Sequence, residues 1–236
     1  MINKFNIKEV RDFWDKVADI YEEENKKVGY VHYHRYEKAI EYGNFRSGQK
    51  VLNIWSRMGG FIPYIRKIPQ IELMNYEVSP KFIEQAKIKF RNEDFSQTDL
   101  ENLEDLQDDY FDRVVSLETL EHAPKPLEFV KELYRVLKPG GLLIMSLPPK
   151  GFEIPTMLWD FFAGNHGEGP HNFLWPYQVK KIINDSSFKS ILHIPTIILP
   201  LGSERGERLS EKCMMRFFGR TPLVNFGVRH FYICKK

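Results

Sequence analysis

The chain has 236 residues, with 34 Lys and Arg against 32 Asp and Glu spread along its whole length, so its net charge of +2 excludes the concentrated positive field that nucleic-acid binding uses. A chain of this size buries roughly 70 to 75% of its extended surface and needs no disulfide or metal staple, and its only cysteines, Cys213 and Cys234, lack metal-ligand spacing and fit a reducing compartment. No run approaches the roughly 20 apolar residues of a membrane span, and the charged start MINKFNIKEVRDFWDK lacks the apolar core of a signal peptide, so a soluble, cytoplasmic protein without a nucleic-acid or membrane partner is expected.

Ile7, Val10, Phe13, Trp14, Val17, Ala18 and Tyr21 recur at intervals of three and four, which predicts an amphipathic first helix packed on the body. A second helix follows over about 31–42, and Arg46-Ser47-Gly48 turns the chain into a short apolar run at Val51 to Ile54, of the kind that fills a buried parallel strand. Pro63 fits the first turn of a short helix. A second strand over Ile71 to Tyr76 ends in Glu77, and Ser79-Pro80 supplies an N-cap and first-turn proline for a helix with Ile83, Ala86 and Phe90 on its inner stripe. Phe95 marks a weaker third strand that leads to a polar loop at Thr98, Asp99 and Leu100, and Phe111 to Leu117 reads as a fourth strand. The next helix carries Leu127, Val130, Leu133, Tyr134 and Leu137 on one face, until Pro139-Gly140-Gly141 stops it and opens a fifth strand, Leu142 to Leu147.

Beyond Pro148 the pattern changes. Residues 150–175 are rich in Gly, Pro, His and aromatics, and they follow the carboxyl end of a strand, where such sheets bind ligands. A helix near Gln178 to Asn184, an extended run over Ser190 to Ile198, a second insert with the stripe Leu209, Cys213, Met214 and Phe217, and a last strand over Val228 to Cys234 complete the chain. Alternating strands and helices on short connections call for right-handed crossovers. The predicted fold is α/β: a Rossmann-like, doubly wound, mostly parallel sheet whose C-terminal edge is antiparallel. One domain over 1–236 is expected, with inserts at about 150–176 and 200–226 forming a cap on the substrate side.

Four features fall in one order: the strand and turn VLNIWSRMGGF (Val51 to Phe61), the acid Glu77 ending strand two, Asp99-Leu100 after strand three, and FDRVVSLETLEHAPKP followed by LKPGGLLIMSLP over Phe111 to Pro148. In this the chain resembles the class I S-adenosylmethionine-dependent methyltransferases of the small-molecule type, and Phe111 to Pro148 is the specific part of the likeness. The resemblance implies S-adenosylmethionine as cofactor and a small-molecule acceptor. A carboxylate that ends strand two can accept both ribose hydroxyl hydrogens, which assigns that role to Glu77, with Val78 beside it. The same resemblance places Asp99 at the adenine amino group, the Leu100 backbone against the ring, Leu117 at the methionine moiety, and Tyr21 in a lid over the cofactor.

The turn departs from the family. Where the pattern reads hydrophobic, hydrophobic, acid, hydrophobic, Gly, any, Gly, any, Gly, this chain has Asn53 for the acid and Trp55 and Arg57 for the first two glycines; only Gly59 remains in register. Glycine permits backbone angles and close approach that a side chain forbids. Trp55 can fill the space of the methionine moiety, and Arg57 brings a cation to the expected sulfonium, a repulsion of roughly 4 kcal/mol at 4 Å and an effective dielectric of about 20. Arg57 facing solvent or pairing with the cofactor carboxylate, and Trp55 rotated aside, would relieve the conflict. If neither happens, the fold is a non-catalytic descendant serving as a binding or scaffold module.

Candidates for chemistry are fewer. Many such enzymes act mainly by holding donor and acceptor in line, with at most one general base. His166 and His171, in the loop NHGEGPHNFLWPY, carry the ordinary imidazole capacity to take a proton near neutral pH, beside the alternative of bracing the loop. Glu118, Glu121 and His122 form E-x-x-E-H on one side of a helical turn, similar to a metal-binding motif of quinone-pathway O-methyltransferases. Without further ligands a salt-bridge role is preferred and no metal is assigned.

Overall fold

The computed structural model describes residues 2–99, 103–153, 169–199 and 201–236. The first helix, α1 (Ile7–Val28), is started by a reciprocal capping box between Asn6 and Glu9, and α2 (Tyr30–Gly43) follows after Gly29. Then come β1 (Lys50–Ile54), the short α3 (Ile62–Ile65), β2 (Glu72–Glu77), α4 (Pro80–Lys89), β3 (Phe95–Gln97), β4 (Phe111–Leu117), α5 (Pro126–Val136) and β5 (Leu137–Leu147). The C-terminal part contributes α6 (Pro176–Asp185), β6 (Lys189–Thr196), α7 (Glu204–Phe218) and β7 (Arg229–Lys235).

Among the described residues the strands form one seven-stranded sheet in the order β3-β2-β1-β4-β5-β7-β6. The first five pair in parallel, and β7 runs antiparallel to both β5 and β6. This is the expected doubly wound sheet with its antiparallel C-terminal hairpin. The pleat sends Leu52, Ile54, Val114, Leu143 and Met145 toward Val10, Trp14 and Phe129 of α1 and α5, while Val51, Val115, Ile144 and Ile233 meet Tyr36 and Ala39 of α2, Ile65 of α3 and Phe61 just before it. Because both faces are covered, the central strands read as continuous apolar runs.

One local reading needs correction. Leu137 is not the last position of a helical face: α5 ends at Val136, and Leu137 already pairs with Phe111 in the sheet. Pairing then lapses until Arg113 meets Leu142, and Gly140 takes a left-handed φ of 81° in the bulge between them. The end of α2 is held in a way its sequence does not announce. Arg113, on the central strand β4, donates from Nε to the Gly43 carbonyl (2.8 Å) and from Nη2 to that of Asn44 (3.1 Å). A cation thus closes the negative end of the helix.

Candidate functional site

The carboxyl ends of β1, β2, β4 and β5 surround the crevice where the strand order reverses between β1 and β4, the usual ligand position in such sheets. The turn after β1 is tied in by the Ser56 N–H, which donates to the Tyr76 carbonyl at 2.9 Å, and by the Gly59 N–H, which donates to Ser56 at 2.9 Å. Within it Trp55, Arg57 and Gly59 all have positive φ: 58°, 51° and 77°. The alternation that glycines would adopt is kept at the two positions that have lost them. A left-handed conformation costs a residue with a side chain about 1–2 kcal/mol. At Gly59 a Cβ would lie 2.8 Å from the end of the Ile62 side chain and from the Phe90 ring, so these would have to shift to admit one.

The side chains fold inward. Trp55 is buried, its ring 4.9 Å from that of His122 and edge-on to Trp14 at 6.3 Å. Arg57 is buried as well, so it does not face solvent; its guanidinium carbon lies 3.9 Å from the centre of the Trp14 ring and 4.0 Å from that of Trp55. Stacking of this kind is worth up to about 2 kcal/mol for a desolvated cation, but it uses no N–H. Arg57 Nη1 and Trp55 Nε1 are buried without a hydrogen-bond partner. Asn53, in place of the family's acid, donates to Asn75 across the β1–β2 pair at 2.9 Å.

Glu77 ends β2 fully buried. Its Oε2 accepts from the Arg57 N–H at 2.7 Å, and its Oε1 accepts from Val78 and Ser79 at 2.9 and 3.0 Å. Burial pushes the carboxyl up to about 7, against the opposing pull of Arg57 and the three backbone donors. Val78 is buried beside it. Ser79 caps α4 by accepting from the Phe82 N–H at 3.1 Å, and donates to Asp15 of α1.

The other sequence-derived candidates scatter around this centre. Tyr21 is buried on α1, edge-on to Trp14 and Phe82, and accepts from Arg35 at 3.4 Å. Leu117 is buried at the end of β4, Asp99 is exposed, and Leu100 and His166 lie outside the described residues. His171 Nδ1 lies 2.8 Å from the Gly169 carbonyl, and its ring centre is 6.3 Å from that of His122. The carbonyl can only accept, so Nδ1 is the donor and Nε2 is left without this partner. His122 is fixed likewise by the Pro170 carbonyl at 2.9 Å, and burial, reinforced by Arg57, pulls its pKa well below the ordinary value. A cavity of about 610 Å³ opens beside the turn, with Tyr21, His32, Tyr36, Arg57, Tyr64 and Phe90 on its wall.

The E-x-x-E-H segment does not put its three groups on one side of a helical turn. Glu118 precedes the short 3-10 turn of Leu120–His122, with a φ of 57°. It faces instead a set of groups that the sequence reading did not single out. Its Oε1 accepts from Arg229 Nε and Ser146 Oγ, both at 3.2 Å, while Arg35 lies 3.7 Å from Oε2. Arg229 also donates to the Val31 carbonyl at 2.7 Å and lies 3.3 Å from His34 Nδ1, and His34 reaches Glu211 through Nε2 at 3.1 Å. Arg35 donates to Tyr36 at 3.0 Å. Among the described residues no three His, Cys, Asp or Glu side chains converge as a cation site.

Known proteins agree with this architecture. Residues 56–145 match the family described as a methyltransferase domain. A ubiquinone biosynthesis O-methyltransferase of Psychrobacter arcticus is 25% identical over 211 residues, covering 79% of this chain and 80% of that protein. Among solved structures, the methyltransferase bound to the Trm112 activator of Haloferax volcanii superposes with a TM-score of 0.71 at 18% identity over 96% of each chain. The [4+2]-cyclase SpnF gives 0.71 at 15% identity over 100% of this chain and 98% of its own. Residues 56–145 are thus similar to a methyltransferase domain, and the chain as a whole shares the fold of these solved structures, with Trp55 and Arg57 where the motif it resembles has two glycines.

Proposed function

We propose that the protein transfers a methyl group from S-adenosylmethionine to a hydroxyl of a small-molecule acceptor. The observation that carries this reading is the left-handed φ at Trp55, Arg57 and Gly59, which keeps the backbone of a cofactor-cradling turn after two of its glycines are gone. The hydroxyl as acceptor rests on the O-methyltransferase name of the Psychrobacter relative. The cofactor supplies a methyl group on a cationic sulfur. In this reading Glu77 reads the ribose hydroxyls, Asp99 and Leu100 the adenine, and Leu117 and Tyr21 flank the methionine moiety.

For that to happen Arg57 leaves the cleft between Trp14 and Trp55, and the adjoining cavity gives its side chain the room. Its free Nη1 then serves the cofactor's carboxylate rather than opposing its sulfonium. His171 is the proposed base, through the Nε2 that its bond to Gly169 leaves available, with His166 as the second candidate. The inserts at about 150–176 and 200–226 are proposed to close over the acceptor within a single domain.

Calorimetric titration of the purified chain with S-adenosylhomocysteine tests the reading, together with mass analysis of a denatured sample for any copurified adenosyl compound. Micromolar binding is expected. A folded protein that gives no heat at millimolar ligand would sink the proposal and leave the scaffold alternative in its place.

A further inference from the structure

Helix α7 has two unlike faces. Toward the body, Glu207 and Ser210 are buried, Glu211 holds His34, and Arg208 reaches Glu37 at 2.8 Å and Glu204 at 2.9 Å. The acids of this helix are therefore turned inward or paired. The outward face carries Arg205, Lys212 and Arg216, all exposed, and Arg220 continues it past the helix end. These four make no ion pair among the described residues. Between and beside them stand large apolar side chains: Leu209 is 61% and Phe217 69% exposed, and Leu223 and Phe226, in the short turn of Pro222–Phe226, are about half exposed.

A face with cations, leucines and phenylalanines but no unpaired acid is poorly suited to water alone. A second copy of the same face would set cations against cations. A nucleic acid would engage the cations and leave Leu209 and Phe217 without a partner, because phosphate contacts use charge and hydrogen bonds. The surface of an anionic bilayer satisfies both: lipid phosphates meet the cations while the apolar side chains enter the acyl boundary.

We propose that the outward face of α7, continued by Leu223 and Phe226, docks the protein on anionic lipid membranes. The expectation of no membrane partner rested on the length needed to span, which does not bear on a helix lying in the interface plane. Among the described residues no helix is long and apolar enough to cross. None of these residues is among those proposed to hold the cofactor; they lie in the insert proposed to close over the acceptor, on the face of α7 turned away from the body, so vesicle binding is read independently of cofactor binding.

Vesicle flotation of the full chain tests it, with phosphatidylcholine alone against phosphatidylcholine and phosphatidylglycerol in equal parts. Binding to the mixed vesicles, weakened by salt, and none to the neutral ones is expected. Lys212→Gln with Arg216→Gln lowers the partition by about thirtyfold, and Phe217→Ser by about tenfold, each with unchanged circular dichroism because the positions are exposed. Cys213 lies on this face and Cys234 is buried, so an environment-sensitive dye attached to Cys213 shifts to the blue on vesicle binding. The proposal is overturned if the protein ignores anionic vesicles at low salt or floats equally with neutral ones. It is equally overturned if the variants bind like the parent, or if the dye stays unchanged while the protein floats. Variants that change only oligomeric state or capture of a protein would likewise move this face to another partner.

Discussion

Arg57 and Arg229 are both buried at the carboxyl side of one sheet, and they are held in opposite ways. Arg229 has the Glu118 carboxylate, the Val31 carbonyl and His34 within reach, and every partner belongs to the framework of β4, β7 and α2. Arg57 has two indole faces and a free Nη1, while its backbone N–H serves Glu77. Breaking a hydrogen-bonded ion pair strands a charge, whereas a stacked cation can leave at a fraction of that cost. The first arrangement is therefore architecture, and the second is suited to exchange with a ligand.

The largest break in this contrast is expected from Arg229→Met, which strands Glu118 beside Arg35 alone. Urea unfolding should show a loss of about 3–4 kcal/mol, and a loss under about 1 kcal/mol would mean that the network is not structural. Glu77 gives a pH signature on the other side. Its folded pKa, near 7, lies above the ordinary value, so the native state binds more protons than the unfolded one, and its contribution to stability falls as pH rises from about 4.5 to 7 and is flat above. Against Glu77→Gln, the parent should lose up to about 3 kcal/mol over that window. A pH-independent difference between the two would place the ionised carboxylate in the fold at no penalty.

Arg57→Gly sharpens the contrast from the ligand side. It removes a left-handed arginine and empties the indole cleft, so stability should move by no more than about 1 kcal/mol, while S-adenosylhomocysteine binds at least about tenfold more weakly because the proposed partner of its carboxylate is gone. Tighter binding would instead make Arg57 an obstruction in the crevice. Smallest is Ser79→Ala, which removes the α4 cap and the link to Asp15 and should cost about 1 kcal/mol in thermal unfolding, with no change in the pH response of Glu77.

The sheet was legible because its signals are local. The runs at Val51 to Ile54 and Phe111 to Leu117, the Ser79-Pro80 start of α4 and the stripe of α1 each need only neighbours in sequence to be read, and each is found where expected. Glu77 at the end of β2 was legible for the same reason. The Glu118–Arg229 and Arg229–His34 contacts join residues 111 and 195 positions apart, and no local pattern marks either partner. The direction of the Trp55 side chain was hidden differently. It follows from a backbone angle that the sequence argues against and that the Tyr76 carbonyl, Glu77 and the surrounding aromatic rings impose. Leu137 was misread because a helical stripe and the first residue of a buried strand look alike when they adjoin.

The left-handed backbone at Trp55 and Arg57 also bears on how this turn can evolve. A tryptophan codon and the common arginine codons each lie one base away from a glycine codon. Since the turn already has the shape that glycine would take, such a mutation meets no barrier of refolding. A lineage can therefore close or reopen the crevice by point mutation, with the scaffold passing unchanged through either step.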